Sequence, residues 1–184
     1  MEISYKNKHA DIIERCKDGD QKAYHEIYRL YSKAMFNICY RIIGEQELAE
    51  DMLQEAFVSA FRNIESYEGR ASFGAWLKKI VVNKAISHLR KQQMEFVEFD
   101  DRLELSDGEP FDDTELALKV ESVREAIQKL PKGFRVVFSL YLLEGYDHKE
   151  IAEIVGISES TSKSQYNRAK KKLREILKKE MHYG

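Results

Sequence analysis

Asp147 to Lys172, DHKEIAEIVGISESTSKSQYNRAKKK, is the stretch on which the reading of this chain turns. Ile151, Ile154 and Val155 fall at helical spacing and give its first half an apolar stripe. Ala152 is small enough for a second helix to cross over it. Gly156 stands just past the last periodic residue, where a left-handed backbone costs glycine least. Ser158 is a good N-cap for a following helix, and Glu159 lies near that helix's positive end. Two helices joined by so tight a turn read as a helix-turn-helix, with the second helix offered to a major groove. A plain helical hairpin in a bundle would share these features, so the rest of the chain decides between them.

Charge around the motif favours the groove. From Ser158 to Lys179 there are eight basic residues against two acidic ones, a net of +6. Such a face suits phosphate contact, although a solvated lysine-rich helix would look similar. Upstream the sign reverses. Glu95 to Glu115 carries ten acidic residues and one basic residue, Arg102, a net of −9. Gly108 and Pro110 interrupt this segment, while Phe96, Val97, Phe99, Leu103, Leu105 and Phe111 keep it from being purely solvating. It reads as an acidic flexible linker, 95–113, with apolar residues able to dock in a basic channel on a partner. Between linker and motif, Leu116, Val120, Val123, Ile127 and Leu130 mark a helix that Pro131 stops, and Phe134 to Leu143 marks another.

The N-terminal half is also helical. Ile12, Ile13 and Cys16 mark a short helix that ends at Asp18-Gly19-Asp20. Asp20 then caps a longer one with Ala23, Ile27, Leu30, Tyr31, Ala34 and Ile38 on one face, ended by Gly44. Glu45 to Ile64 buries Leu53, Phe57, Ala60, Phe61 and Ile64. Its opposite face, Glu47, Asp51, Gln54, Glu55 and Val58, is a polar strip with one exposed valine. After the loop Glu65 to Ala71, Ser72 caps a helix with Phe73, Trp76, Leu77, Ile80, Val81 and Leu89 inward. Lys78, Lys79, Asn83, Lys84, Arg90 and Lys91 face outward. The expected architecture is all-α: two small helical domains, 8–94 and 114–182, joined by the acidic linker.

The whole composition excludes as much as it suggests. With 184 residues, 43% of them hydrophobic, and two prolines, the chain can fold as one domain or two small helical ones. Its net charge is only −2, so any nucleic-acid face must come from local segregation of charge. Two cysteines, Cys16 and Cys39, make no disulfide framework and are expected to pack as small apolar groups in a reducing cytoplasm. The N-terminal MEISYKNKHADII lacks a signal-peptide core, and no run is long enough for a membrane span. A cytoplasmic protein without membrane insertion is expected.

No catalytic constellation is present. The five histidines, at 9, 25, 88, 148 and 182, have no metal-ligand spacing, and there is no phosphate-binding glycine loop. Glu50, Asp51 and Glu55 belong to the outer strip of an amphipathic helix rather than to an acid–base site. No catalytic residue, metal or cofactor is expected. The segment Tyr67 to Lys84 instead suits unpaired nucleic acid. Tyr67, Phe73 and Trp76 supply ring surfaces, Arg70, Lys79 and Lys84 supply phosphate partners, and Asn83 can read a base edge. Periodicity puts Phe73 and Trp76 in the core and leaves Tyr67 and Asn83 for function.

Taken together, these blocks resemble the extracytoplasmic-function (ECF) group of bacterial RNA polymerase sigma factors. The resemblance is carried by Lys17 to Ala23 (KDGDQKA), Ala49 to Phe57 (AEDMLQEAF) and Ser72 to Asn83 (SFGAWLKKIVVN). It continues through Leu130-Pro131 and Glu150 to Ser158 (EIAEIVGIS), then Thr161, Lys163, Ser164, Arg168, Ala169 and Lys172-Leu173. It implies that the first domain binds core RNA polymerase through Asp51, Gln54 and Glu55. It also implies capture of the minus-ten strand of promoter DNA at Tyr67, Arg70, Lys79, Asn83 and Lys84. The second domain would read the minus-thirty-five duplex with Glu159, Ser160, Lys163, Ser164, Gln165 and Arg168, and the linker would thread toward the RNA exit path. An anti-sigma factor is a further implied partner.

Three positions depart from the family pattern. Ser162 replaces an apolar residue that packs the recognition helix, Ser160 a common Gly, and Gln165 a frequent Arg. An inward Ser162 can satisfy its hydroxyl on the preceding turn. Gln165 would favour an adenine edge where Arg would favour guanine. Two rivals stand beside the promoter-specificity subunit: a sigma mimic that occupies an anti-sigma factor, and a free-standing repressor. A mimic needs neither the basic last helix nor the polar strip, and a repressor has no use for the N-terminal half.

Overall fold

The computed structural model describes residues 9–92 and 120–183, and among these every regular element is helical. The acidic 95–113 segment, the expected domain limits at residues 8, 94 and 114, and Leu116 lie outside the described residues. Contacts divide the chain into two units, 1–94 and 95–184.

The N-terminal unit comprises α1 (Ala10–Lys17), α2 (Gln21–Ile43), α3 (Gln46–Arg62) and α4 (Phe73–Lys91), with a 3₁₀ turn at Ile64–Ser66. Asp20 caps α2 by accepting from the Lys22 amide at 2.8 Å, and it also receives Arg15 Nη2 at 2.7 Å. That guanidinium holds the Asp20 carboxyl below its usual range. Gly44, at φ 86°, closes the other end of the helix by donating to Tyr40 O at 2.8 Å. Helices α2, α3 and α4 pack mutually, and α1 lies on α2.

The buried face of α2 is Ala23, Ile27, Met35, Ile38, Cys39, Ile42 and Ile43. Leu30, expected on that face, is 49% exposed, and Ala34 is exposed as well. Both stand seven residues beyond buried positions, Ala23 and Ile27, on the same side of the helix, but farther along α2 the buried side has moved toward Met35, Cys39 and Ile43. Burial also pushes the two thiols up, Cys16 to about 11 and Cys39 to about 12, as befits apolar packing groups.

Phe73 is fully buried where α2, the 67–72 loop and α4 meet. Its ring centroid lies 5.4 Å from Tyr31, 5.3 Å from Tyr67 and 5.3 Å from Trp76. Next to it, a side chain on Gly74 would meet Tyr31 Cε1 at 3.2 Å, so glycine permits the close approach of α4 to α2. Trp76 and Ile80, expected fully inward, are half-buried. The inward arc of α4 runs instead through Leu77, Val81, Val82, Ala85, Ile86 and Leu89.

The C-terminal unit comprises α5 (Val120–Gln128), α6 (Lys132–Phe138), α7 (His148–Val155) and α8 (Glu159–Tyr183). Pro131 precedes α6 and accepts from the Arg135 amide at 2.9 Å, so it starts this helix as well as following α5. Arg135 is itself buried and donates Nη1 to Gln128 O at 3.0 Å, supplying a partner to the last turn of α5. A single π-helical turn, Ser139–Leu143, extends α6. The core gathers Ala126, Ile127, Leu130, Phe138, Ala169, Leu173 and Leu177. Helices α5, α6 and α7 all pack against α8.

Burial predicts a sharp contrast within the N-terminal unit. Phe73→Ala is expected to destabilise it by about 3–5 kcal/mol, the usual cost of truncating a buried ring. Leu30→Ala is expected to stay within about 0.5 kcal/mol. Urea unfolding followed through the fluorescence of Trp76, the chain's single tryptophan, measures both.

Candidate nucleic-acid interface

The turn between α7 and α8 is built by caps. Asp147 Oδ1 accepts from the Glu150 amide and Glu150 Oε2 from the Asp147 amide, each at 2.8 Å, a reciprocal capping box that starts α7. Gly156, at φ 81°, ends it and donates to Ala152 O at 2.8 Å. Ser158 Oγ accepts from the Thr161 amide at 3.0 Å, the N-cap expected of it. A left-handed glycine and a serine cap two residues later thus reverse the chain between two short-range anchors.

Helix α8 shows two different faces. Glu159, Ser160 and Lys163 are exposed, with Lys163 Nζ 2.7 Å from Glu159 Oε1 one turn away, and Arg168 is half-buried further along. Ser164 and Gln165, expected among the base-reading residues, are instead buried, at 7% and 1% exposure. Ser164 donates its hydroxyl to Thr161 O at 3.1 Å. Gln165 Oε1 has no hydrogen-bond partner among the described residues. The physical reason is that three helices pack on α8, which widens its inward arc until Thr161, Ser162, Ser164 and Gln165 all fall inside it. The amide oxygen of Gln165 is thus enclosed within the unit. Asn167, four residues beyond Lys163 and half-buried, lies on the outer row that sequence reading left out; the seven-residue step from Ser160 was the available signal.

Ser162 is completely buried, and its hydroxyl is satisfied across the motif rather than on the preceding turn. His148 Nδ1, on the first residue of α7, lies 2.9 Å from Ser162 Oγ. The imidazole stacks on Tyr141 at 4.3 Å and 13°, and Tyr166 meets it edge-on at 5.8 Å. Burial lowers the His148 pKa below its ordinary value, and nearby Lys163 lowers it further, against weaker opposing effects of Glu159 and Asp147.

In the N-terminal unit, Asp51, Gln54 and Glu55 are exposed on α3, with Val58 48% exposed beside them. They line an open groove with Lys84 and His88 of α4, and Lys84 Nζ lies 3.2 Å from Glu55 Oε2. The strip expected to meet a protein and the lysine expected to meet DNA are thus paired side by side. On α4, Lys79 and Asn83 are exposed one turn apart. Arg70 Nε lies 2.6 Å from Glu68 in the loop. Tyr67 differs from expectation: it is 6% exposed and donates its hydroxyl to Ala71 O at 2.7 Å. Its ring fills the space against Phe73 and Trp76, so it braces the loop from inside, while Trp76 keeps part of its face open.

Comparison with known proteins agrees with this two-part layout. Residues 27–95 match the family model of sigma-70 region 2, and residues 121–173 match that of sigma-70 region 4. The chain is 31% identical to the ECF RNA polymerase sigma factor SigW of Bacillus subtilis, covering 97% of this chain and 99% of that one. It is 28% identical to the ECF RNA polymerase sigma-E factor of Haemophilus influenzae, over 86% and 89% of the two chains. Among solved structures it is similar in fold to the sigma factor RpoE of Bartonella quintana, crystallised with the anti-sigma factor NepR. The TM-score is 0.55 at 24% identity, covering 85% of this chain and 98% of that one.

The His148 environment predicts a pH dependence. Because the folded pKa is lowered, the unfolded chain binds the extra proton first. The contribution to stability is complete above the ordinary histidine pKa of about 6.5 and is lost as pH falls through the folded value. Thermal melts between pH 8 and pH 5 are expected to show a shallower decline for His148→Asn than for the parent chain.

Proposed function

The chain belongs to the ECF RNA polymerase sigma factors, and from that membership we propose how its two helical units divide the work of promoter selection. The carrying observation is the likeness to an ECF sigma factor along 97% of the chain, with both sigma regions matched in order. Members of this family are regulators of transcription, and this chain acts as a dissociable specificity subunit rather than as an enzyme. Its place of work is the cytoplasm, in keeping with described residues that include no helix long and apolar enough to cross a membrane.

In this proposal residues 8–94 form the domain that binds core polymerase and captures the minus-ten strand. Asp51, Gln54 and Glu55 supply the acidic and amide partners for a basic helical surface on the polymerase. Lys79, Asn83, Lys84 and Arg70 face the displaced strand, where cations meet phosphates and the amide meets a base edge. Tyr67 shapes the loop and Trp76 offers the open ring. The Glu55–Lys84 pair gives this surface a link between its two tasks, because a partner that draws on Glu55 releases Lys84 for phosphate.

Residues 114–182 form the domain that reads the minus-thirty-five duplex. Glu159, Ser160, Lys163 and Asn167 form its base-facing row, and Arg168 with the lysines beyond it holds the backbone. Ser164 and Gln165 support that row from behind. The 95–113 linker, with its acidic excess, passes along a basic path in the polymerase. An anti-sigma factor is a further partner, as for the Bartonella quintana relative. Free DNA is bound weakly and with strong salt dependence, and tethering to core polymerase raises the effective concentration.

Run-off transcription with core polymerase and the purified chain is the direct test, and initiation at a defined start site is the expected result. A sigma mimic or a lone repressor would give none. Asp51→Lys combined with Gln54→Lys is expected to abolish co-purification with core polymerase while leaving the melting of the unit within a few degrees. Retention of core binding by that folded variant would reject the α3 strip.

A further inference from the structure

We infer that His148 is a positioning residue for promoter recognition: through the buried Ser162 hydroxyl it sets the orientation of α8, and with it the base selectivity of the upstream contact. The inference rests on the reading of α8 as the helix that meets duplex DNA. Nothing in that reading requires a polar contact behind the helix, yet the structure builds one with care.

Ser162 is 0% exposed and sits directly behind Ser160 and Lys163, the residues that face outward at the start of α8. Its Oγ lies 2.9 Å from His148 Nδ1. Rings from two other elements converge on that imidazole. Tyr141 of the π turn stacks on it at 4.3 Å, Tyr166 of α8 lies at 5.8 Å, and the two tyrosines are 4.5 Å apart. The stack fixes the plane of the imidazole, and the plane fixes where Nδ1 points. Ser162 Oγ can then meet that nitrogen at only one rotation of α8.

A purely apolar contact at this place would behave differently. Dispersion contacts tolerate sliding and rotation with gradual loss, whereas a hydrogen bond weakens steeply once distance or angle departs from its optimum. A rotated α8 would give up this bond, strand the half-buried His148 Nδ1 and leave Ser162 only its own preceding turn, so such arrangements are disfavoured. Rotation matters here because successive residues lie 100° apart around a helix, and small turns move Ser160 and Lys163 across neighbouring base edges. The histidine–serine pair is therefore a device for register, separate from the apolar core that holds the unit together.

The test separates register from stability. A promoter is first selected from a randomised pool with the parent holoenzyme, and transcription from it is compared with a version whose upstream element is scrambled. His148→Phe with Ser162→Val replaces both polar partners by apolar groups and is expected to fold with a melting temperature close to the parent's. Its discrimination between the two promoters is nevertheless expected to fall about 5- to 20-fold, the scale of one misplaced specific contact. His148→Asn, which returns a hydrogen-bonding group near the position of Nδ1, is expected to discriminate within about threefold of the parent. A double variant that discriminates as well as the parent would overturn the inference and leave the pair as packing alone. So would an Asn variant that discriminates no better than the double. A parent holoenzyme indifferent to the upstream sequence would remove the assignment of α8 to DNA, and this inference with it.

Discussion

Complete burial of the Phe73 ring is the constraint from which the N-terminal unit follows. The residue stands one position after the Ser72 cap, so α4 begins at the moment its first side chain enters the core. Tyr31 from α2, Tyr67 from the loop and Trp76 from α4 each meet that ring at 5.3–5.4 Å. Aromatic contacts of this kind add to the area they bury and prefer tilted or edge geometries, which these are. The loop is thereby shaped by the core beneath it, and the polar residues above it inherit their positions. The missing side chain of Gly74 permits the same approach from the other side.

Helix α8 poses the corresponding problem in the C-terminal unit. It is 25 residues long and receives α5, α6 and α7, so its buried arc exceeds a single apolar stripe. The first turns of that arc are polar, with Thr161, Ser162, Ser164 and Gln165 buried before Ala169 and Leu173 restore an apolar lining. Such a face is expensive unless its groups find partners. Ser158, Thr161 and Ser164 find them within the cap and first turn, and Ser162 finds His148, while Gln165 Oε1 finds none among the described residues. The result is a helix held at its tip by directional bonds and along its shaft by dispersion.

Electrostatics in this protein is local. A net charge of −2 conceals an excess of −9 over Glu95–Glu115 and of +6 over Ser158–Lys179. Segregation on this scale concentrates positive potential along α8 while the chain as a whole stays near neutral. In the groove between α3 and α4 the two signs meet at Glu55 and Lys84. The pair is exposed enough to contribute little to stability, which leaves both groups available to partners.

Much of this was legible in the chain itself. Helices, caps and breaks follow from short-range rules, and Asp20, Gly44, Ser72, Asp147, Gly156 and Ser158 all stand at the ends where their backbone chemistry suits them. The ordered blocks of residues carried the family, and the charge segregation needed only counting. What periodicity could not supply was the width of each buried arc, because that depends on how many neighbours a helix receives. Leu30 and Ala34 therefore stand exposed on α2, and Ser164 and Gln165 buried on α8. Tyr67 lay off every stripe and still proved internal, since a loop side chain answers to the cavity beside it rather than to a repeat. The local sequence determined which segments are helices, where they end and which carries charge. Only the tertiary structure decided that Ser162 meets His148, 14 residues away, because that contact exists only once α7 and α8 have packed against each other.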